Sequence, residues 1–338
     1  MGGVTQNSPG EAPLPRFFCK IVIAISLLTA GCSNQTFQTL PKLPSGAMEQ
    51  ELKTVSFFPQ TGFQCGPAAL ATVLTHRGVD VNPDQLSDHV YLPKGYGSLQ
   101  IELLAASRRY QTIPYLVDGF DDLIHQVSEG NPVLVLQRVR NWWVPAWHYA
   151  VVVGFDNKRR QLILRSGTEK RRIVSHKYFA KTWQKGNHWG FVVLSPGTLP
   201  AAPDAKRYLD AVINAESQLS TDQAIRAYRS ALAQWPENVT ARFGLGNMQY
   251  RDDLKNAAKL SWEGVLLLQN NHAGAANNLA ELLAEKGEIQ QAIGLLENTL
   301  SGRLSPESLR PILIETLQKL KRQQLATQNK VGGLPDSI

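Results

Sequence analysis

The spacing of apolar residues changes near Pro196 and divides the chain into two regions. From Leu52 to Pro196, stretches with helical spacing come first, and short, nearly continuous apolar runs follow. Beyond Pro196, apolar and small residues recur only with the spacing of amphipathic helices. Helices followed by strands predict an α+β domain, and the second region predicts an all-α domain.

Three helices are predicted in the first region, at Cys65–His76, Ser98–Arg109 and Asp121–Ser128. Pro67 falls in the first turn of the first helix, where a missing N–H is tolerated, and Gly78 ends that helix. Ser98 is a plausible N-cap for the second helix. The strand candidates are rich in Val, Ile and Leu and are separated by turn residues. They are Val133–Gln137, His148–Phe155, Gln161–Arg165, Arg171–Val174 and Trp189–Leu194. Their succession predicts a mostly antiparallel sheet.

The second region repeats with a period of 34 residues. The first set is Ala224, Tyr228, Ala231 and Pro236, the second is Ala258, Trp262, Val265 and Asn270, and the third is Ala292, Leu296, Thr299 and Leu304. This order of small, aromatic, small and helix-breaking positions resembles the tetratricopeptide repeat, in which small residues let paired helices approach closely. A generic helical bundle is the alternative interpretation.

The amino-terminal residues have the pattern of a bacterial lipoprotein signal peptide. Arg16 and Lys20 precede the apolar run Ile21–Ala30, which is shorter than the roughly 20 residues that span a bilayer. Gly31–Cys32 then resembles a lipobox, which implies cleavage before Cys32 and acylation of its sulfur and amino group. Ser33 in the next position favours an outer-membrane anchor facing the periplasm. An ordinary signal peptide with an incidental cysteine is the alternative.

The basic residues are unevenly distributed. The 338 residues carry a formal net charge of +7. Asp156–Lys185 holds ten Lys and Arg against two acidic residues, whereas the charges after Pro196 sum to zero. One face of the first domain is therefore predicted to be cationic, with anionic lipid headgroups, cell-wall polymer or an acidic peptide as possible partners. A solvated surface without a partner explains this cluster of basic residues equally well. No nucleic-acid-binding motif is present, so a nucleic-acid partner is not expected.

The predicted domain organisation follows from these patterns. It comprises a signal peptide (1–31), a tether (32–51), the α+β domain (52–196), a Pro- and Ala-rich linker (197–205), the helical repeats (206–322) and a flexible tail (323–338).

Cys65 is the candidate nucleophile, and a cysteine that is only packed as a small hydrophobic side chain is the alternative interpretation. The chain has three cysteines, and the predicted processing removes Cys19 and acylates Cys32, which leaves Cys65 without an intramolecular partner in an oxidising compartment. A cysteine in the first turn of a helix receives the partial positive charge of the amide N–H groups, which favours the thiolate. Gln60 could direct its side-chain amide at an oxyanion, together with the N–H of Cys65.

His148 is the candidate base, because it opens the apolar run HYAVVVGF and is expected at the rim of a sheet. A structural histidine that caps this strand is the alternative. His188, before the last strand, is the only serious rival. The remaining histidines are expected near helix ends, on helical surfaces or in the repeats: His76, His89, His125, His176 and His272.

The combination of Gln60, the CGPAAL helix start at Cys65 and the HYAVVVGF strand at His148 resembles the C39-like papain-fold cysteine peptidases, which include the double-glycine leader peptidases of bacteriocin exporters. The resemblance covers about Leu52–Pro196. It implies that Cys65 is the nucleophile, His148 the general base and acid, and Gln60 the oxyanion donor. With its lipobox and repeats, the whole chain looks like a stand-alone lipoprotein branch of that family.

The sequence departs from the family pattern in two respects. Typical members carry an aspartate on the strand after the histidine, and here Ser166 or Arg165 occupies that place. Ser166 is therefore a possible third member of the site. The chain also contains no GxxxxGK[ST] string, so no role for ATP is expected.

The sequence thus predicts a membrane-anchored cysteine peptidase that acts through a thiolate–imidazolium pair, without a metal or cofactor. Its substrate would be a peptide or protein, and a groove of the repeats would bind a protein partner. Transpeptidation and deamidation would use the same groups and stay open. The alternative is a papain-like fold that serves only as a binding module, and the missing aspartate favours that alternative.

Overall fold

The computed structural model describes residues 48–60, 64–90, 97–141 and 144–332. The predicted signal peptide, the acylation site at Cys32 and most of the tether lie outside these residues. No helix within the described ranges is both long enough and apolar enough to cross a membrane.

One seven-stranded sheet forms the centre of the first domain. Within the described residues its strands are β1 (Glu49–Glu51), β2 (Ile113–Leu116), β3 (Val133–Asn141), β4 (Val144–Asp156), β5 (Gln161–Ser166), β6 (Glu169–Ser175) and β7 (Gly190–Leu194). Their order is β2-β7-β3-β4-β5-β6, with β1 paired to β4. Every pairing is antiparallel, as predicted.

The helices of this domain are α1 (Cys65–His76), α2 (Pro83–Val90), α3 (Gln100–Arg109), α4 (Gly119–Ser128) and α5 (His176–Gln184). The predicted bounds of α1 are confirmed, and all five predicted strands are present. The sequence reading missed α2, α5, β1 and β2. The Ser98 N-cap was wrong, because Leu99 is the N-cap of α3 and no side chain caps this helix.

The sheet buries both of its faces. Leu134, Tyr149 and Val151 pack towards α1 and α3 in one core cluster. Val135, Ala150 and Val152 alternate with them and pack towards α4 and α5 in a second cluster. Because both faces are covered, the central strands are almost uniformly apolar rather than alternating. This explains the continuous apolar run that follows His148 in β4.

The position of His148 within its strand differs from the prediction. β4 begins at Val144, so His148 lies inside a 13-residue strand instead of opening it. The register pairs His148 with Gln137 of β3. β3 and β4 continue past the rest of the sheet as a two-stranded arm, and the polar and proline-containing sequence before His148 gave no sign of this extension.

An all-α region follows the sheet domain, as the sequence predicted. Its helices are α6 (Ala205–Ala215), α7 (Thr221–Gln234), α8 (Val239–Arg251), α9 (Lys255–Leu268), α10 (Ala273–Glu285), α11 (Ile289–Leu300) and α12 (Arg310–Gly332). The three predicted repeat sets fall on α7, α9 and α11 and the turns that follow them. This arrangement is consistent with tetratricopeptide-like helix pairs.

Small residues let these helices approach closely. A Cβ atom on Gly246 of α8 would lie 2.7 Å from Cδ1 of Trp262 on α9, and one on Gly244 would lie 2.8 Å from the hydroxyl of Tyr228 on α7. These aromatic rings belong to the repeat sets. In the first two repeat sets, an aromatic ring therefore packs directly on a glycine of α8.

The two regions share one apolar core. Tyr208 and Val212 of α6 belong to the same cluster as the α4 face of the sheet. Arg207 of α6 links the two regions by polar contacts. Its Nη1 lies 2.6 Å from Oδ2 of Asp122, and its guanidinium lies 5.0 Å from the centre of the Tyr115 ring. Gln126 also exchanges two hydrogen bonds with Ala201 of the connector. The connector is thus held against the sheet domain.

Two predicted boundaries differ from the structure. Residues Glu49–Glu51, assigned to the tether, form β1 and pair with β4. The predicted flexible tail begins inside α12, which continues to Gly332. Both differences arise because pairing and helix packing extend order into segments whose composition is polar.

Candidate active site

Cys65 is the first residue of α1, and its sulfur lies against the backbone of β4. The N–H groups of Tyr149, Gly66 and Cys65 itself point at the sulfur and lower the pKa of the thiol. β4 and β5 are paired from Val151 and Arg165 towards the far end of the sheet, so Tyr149 lies just beyond the paired section. The start of α1 therefore meets the sheet where β5 leaves β4.

The imidazole of His148 is held by Ser166. Nε2 of His148 lies 2.9 Å from Oγ of Ser166, the last residue of β5. Ser166 is almost fully buried. A hydrogen bond of this length fixes the orientation of the ring and leaves Nδ1 for exchange with another group. Ser166 thus occupies the place in which the family pattern has a carboxylate.

Gln60 is attached to the turn that follows Ser166. Its backbone N–H donates to the carbonyl of Gly167 at 3.0 Å, and Gly167 N–H donates to its Oε1 at 3.2 Å. With Oε1 engaged in this way, Nε2 is the donor that the side chain can offer. The turn therefore links Gln60 to the residue that holds the imidazole.

Gly66 has a packing role that the sequence reading did not anticipate. A Cβ atom on Gly66 would lie 2.6 Å from Cβ of Ser98, so the space beside it is filled by protein instead of being open to a substrate. The Tyr149 hydroxyl donates to the carbonyl of Ser98 at 3.0 Å. Together these contacts fix the first turn of α1, the segment before α3 and β4 relative to one another.

Burial favours the neutral forms of both candidate groups. It raises the pKa of the Cys65 thiol, and this effect outweighs the three backbone N–H groups. It lowers the pKa of His148 to about 4, and the positive charge of Arg172 acts in the same direction. Both directions oppose the predicted thiolate–imidazolium pair, which stays a prediction.

The sulfur and the imidazole lie next to the same peptide unit, the one that joins His148 to Tyr149. Cys65 receives the N–H of Tyr149, the residue directly after His148. No hydrogen bond joins the sulfur to the imidazole in the part of the chain that the structure describes. Catalytic hydrogen bonds are often long in unliganded enzymes and tighten when substrate binds. The arrangement can support nucleophilic attack by sulfur with a neighbouring base.

The other candidates have structural contacts. The His188 ring packs edge-on against Trp183, with 5.1 Å between ring centres. His176 was expected on a helical surface, but it is buried, and its Nε2 lies 3.2 Å from the carbonyl oxygen of Gln161. Arg165, the alternative to Ser166, faces away from the imidazole and donates to the carbonyls of Val55 and Lys170.

Sequence reasoning missed two contributors to the site. Tyr149 supplies the N–H that reaches the sulfur, and Arg172 supplies a charge that disfavours protonation of His148. Tyr149 follows directly from the HYAVVVGF string, whereas only the β5–β6 register brings Arg172 near the imidazole. Among the described residues, no cluster of His, Cys, Asp and Glu has the arrangement of a metal site.

Comparison with known proteins assigns the first domain to a family. Residues 52–189 match the sequence model of the Peptidase_C39 like family. The resemblance inferred from Cys65 and His148 is thereby confirmed, and the first domain has a C39-like papain fold. No curated protein matches this chain in sequence.

Several solved structures are similar to one region or the other. A Bacillus anthracis protein described as a C39-like peptidase has 17% identity and a TM-score of 0.38, over 43% of this chain and 97% of that one. The peptidase domain of Streptococcus ComA, a bifunctional ABC transporter, has 22% identity and a TM-score of 0.35, over 41% and 98%. The Yersinia enterocolitica secretion chaperone SycD has 15% identity and a TM-score of 0.33, over 36% and 93%.

Proposed function

We propose that this chain is a lipid-anchored, periplasm-facing cysteine peptidase, in which Cys65 is the nucleophile and His148 the general base and acid. Ser166 orients the imidazole, and Gln60 and the N–H of Cys65 stabilise the oxyanion. The helical repeats bind a protein partner or substrate. The lipid anchor at Cys32 and the outer-membrane location are part of the proposal and are supported by the sequence pattern.

The reaction begins from the neutral pair. As a substrate carbonyl approaches, the Cys65 proton moves to Nδ1 of His148, and the sulfur forms a bond to the carbonyl carbon. The oxyanion that results is stabilised by the N–H of Cys65 and by Gln60. Collapse of this intermediate breaks the C–N bond, and the amine leaves with the proton from His148. Water then attacks the thioester and gives one proton to His148. As the C–S bond breaks, His148 passes this proton to the sulfur, and the carboxylic acid is released with both the thiol and the neutral imidazole restored.

One observation carries this proposal. The hydrogen bond between His148 Nε2 and Ser166 Oγ, at 2.9 Å, presents the imidazole beside the peptide that receives the Cys65 sulfur. This contact fixes the orientation of the ring and leaves Nδ1 for proton exchange with the sulfur. The match of residues 52–189 to the Peptidase_C39 like family supports hydrolysis of a peptide bond as the reaction.

The neutral resting pair has a mechanistic consequence. Because a thiol is a weak nucleophile, proton transfer to His148 has to accompany attack on the substrate. A base whose pKa lies near 4 is a weak proton acceptor in the free protein. The site is therefore expected to be slow unless substrate binding changes the surroundings of His148.

A binding module without catalysis is the second candidate. Two observations favour it: the partner of His148 is a neutral serine, and no hydrogen bond connects the imidazole with Cys65 in the described residues. In that case the papain-like domain would hold a peptide and the repeats would hold a second protein.

Hydrolysis in isotopically labelled water separates these candidates. The chain from Ser33 onward would be incubated with a peptide library from digested envelope proteins in H2¹⁸O, and the products analysed by mass spectrometry. We expect new peptide ends with ¹⁸O in the carboxylate, and a loss of at least about 10³-fold in Cys65→Ala and in His148→Ala. Transpeptidation would give joined peptides without label, and deamidation would label side chains.

A second measurement reports the state of the thiol. The rate of Cys65 alkylation by iodoacetamide should rise continuously with pH to above pH 9, because burial raises the thiol pKa. A plateau of high reactivity near pH 6 would show an imidazolium-paired thiolate and contradict the neutral pair. Absence of cleavage in the parent, with an alkylation rate that His148→Ala does not change, would favour the binding module.

A further inference from the structure

An exposed cationic surface lies where the described chain begins. It consists of side chains on the turn between β4 and β5 and on α5, and we call it the basic stripe: Lys158, Arg159, Arg160, Lys177, Lys181 and Lys185. We infer that the basic stripe binds the anionic headgroups of a lipid bilayer and orients the protein on it. This inference rests on the lipid anchor of the proposed function.

The turn and the helix form one continuous surface. The backbone N–H of His176, the first residue of α5, donates to the carbonyl of Arg160 at 2.9 Å. Lys177 and Lys181 are four residues apart and so lie on the same face of the helix. The helix is about 13 Å long, and the cations therefore extend from the turn along its whole length.

Most of this positive charge is uncompensated. Asp156 pairs with Arg159 at 2.7 Å and neutralises that member of the stripe. The remaining five cations have no ion pair with any residue that the structure describes. By contrast, the neighbouring Arg171 and Arg172 of β6 are paired with Glu51 and Glu169. The stripe is thus free to attract an external anion.

The chain enters the domain beside this surface. Asn157 N–H, in the turn itself, donates to the carbonyl of Met48 at 2.9 Å, and Glu49 pairs with Asp156. Met48 is the first described residue. Covalent geometry limits the distance from Cys32 to Met48 to about 55 Å. The basic stripe thus lies beside the point at which the chain from Cys32 enters the domain.

The position of the stripe argues for lipid over a soluble acidic partner. Basic residues next to a membrane anchor act as a second membrane-binding signal, and a single anchor is strengthened by a second signal of this kind. Two amphipathic or apolar side chains accompany the cations: Tyr178 is 40% exposed and Met48 is 49% exposed. Tyrosine is favoured at membrane interfaces.

This orientation would direct the candidate active site away from the bilayer. His148 and Asp156 are eight residues apart on β4, which corresponds to about 26 Å along a strand. The β4–β5 turn of the basic stripe lies at the Asp156 end. α5 runs from there along the sheet as far as Gln137, the β3 partner of His148, and packs on the face opposite to α1. With the stripe on the headgroups, the face that carries α1 and Cys65 would be turned towards the aqueous compartment, where a peptide substrate would be met.

Vesicle binding tests the inference without using the anchor or the thiol. The chain from Ser33 onward would be mixed with vesicles of phosphatidylcholine alone or with 40 mol% phosphatidylglycerol, and bound protein would be measured by flotation. Each cation near an anionic surface contributes about fivefold to binding. The triple variant Lys158→Gln, Lys177→Gln, Lys181→Gln should therefore bind the anionic vesicles about 100-fold more weakly, and 0.5 M salt should release the parent.

A matched control keeps the same net charge. Arg229, Lys319 and Arg322 are exposed cations of the repeat region. The triple variant Arg229→Gln, Lys319→Gln, Arg322→Gln should bind like the parent. Equal losses in the two triple variants would show a net-charge effect and overturn the inference. So would equal binding to the two kinds of vesicle, or binding to polyglutamate but not to anionic lipid.

The test is independent of the proposed chemistry. Substitutions in the basic stripe should leave hydrolysis of a soluble peptide unchanged, because α5 packs on the sheet face opposite to α1 and Cys65, and the β4–β5 turn lies at the Asp156 end of β4. A protein that cleaves peptides but ignores anionic vesicles would refute only the orientation. One that binds vesicles through the stripe but cleaves nothing would refute only the peptidase.

Discussion

The sheet domain and the helical repeats differ in what they bury. Asp122, Asp156, Arg165 and His176 are buried ionisable side chains of the sheet domain, and His148 beside Ser166 is partly buried. The polar side chains buried in the described repeats are uncharged: Gln249, Ser261, Thr299 and Thr316. Burying an ionisable group is costly, so a fold retains it where it has a defined partner or a chemical task.

The partners of these groups differ in the same way. Thr299 in the repeats donates to a carbonyl one helical turn earlier, and Ser261 donates to Gln249 of the adjacent helix at 2.6 Å. In the sheet domain, His148 and Ser166 come from different strands. The comparison teaches that the repeats are a scaffold stabilised by packing, whereas the sheet domain holds titratable groups in a set geometry.

The largest expected effect is a pH-dependent stability that originates in the sheet domain. The pKa of His148 is about 4 in the folded protein, against about 6.5 in an unfolded chain. Between these values the unfolded chain binds more protons, so the free energy of unfolding falls as the pH drops from 6.5 to 4. The loss from this group should approach ~3 kcal/mol.

Urea unfolding of the parent and of His148→Gln between pH 4 and pH 7.5 measures the contribution of His148 to the free energy of unfolding. The variant should lose less stability on acidification. His89 is exposed at the end of α2, and His89→Gln is the control that should follow the parent. If the curves of the parent and His148→Gln are parallel, the imidazole is not buried in its neutral form.

A packing substitution should produce the next largest effect, and it belongs to the repeats. Gly246→Ala would place a methyl group 2.7 Å from Cδ1 of Trp262, which should cost about 1–2 kcal/mol of unfolding free energy. Gly294→Ala in α11 meets no atom within 4 Å and should stabilise the protein by about 0.5–1 kcal/mol through helix propensity. Thermal unfolding of the two variants compares them directly. Similar stability for both would show that the Trp262 contact is not tight.

The smallest effect should come from serine substitutions, one in each region. Ser166→Ala removes the hydrogen bond to His148 and should lower kcat/KM about fivefold, together with a loss of about 1 kcal/mol in the free energy of unfolding. Ser261→Ala removes the hydrogen bond to Gln249 and should lower stability by a similar amount but leave kcat/KM unchanged. Peptide hydrolysis and urea unfolding on both variants complete the comparison. Should Ser166→Ala cleave as fast as the parent, Ser166 has no part in orienting the imidazole.

Much of the local structure could be predicted from the sequence because short-range patterns specify it. The bounds of α1 follow from Cys65, Pro67 and Gly78, and the apolar runs identify all five predicted strands. The 34-residue period located α7, α9 and α11. β1 and β2 were missed because they are strands of three and four residues, too short for a periodic pattern.

The candidate site was predictable only in part. Cys65, His148, Gln60 and Ser166 could be named from motifs, and the contact between His148 and Ser166 agrees with the place given to Ser166. The packing of Gly66 against Ser98 could not be predicted from the sequence, because Ser98 belongs to a segment more than 30 residues away. The pKa shifts of Cys65 and His148 also could not be predicted from the sequence, because burial is their largest cause.

By itself, the sequence determined which segments become helices and strands, where the repeat lies, and which side chains are chemically capable, because backbone preferences and apolar spacing act over a few residues. The tertiary structure decided that burial favours the neutral forms of Cys65 and His148, that the charge of Arg172 acts on the imidazole, and that the basic turn adjoins the entry of the chain. These properties depend on distance, desolvation and strand register, which arise only when segments far apart in the chain are packed together.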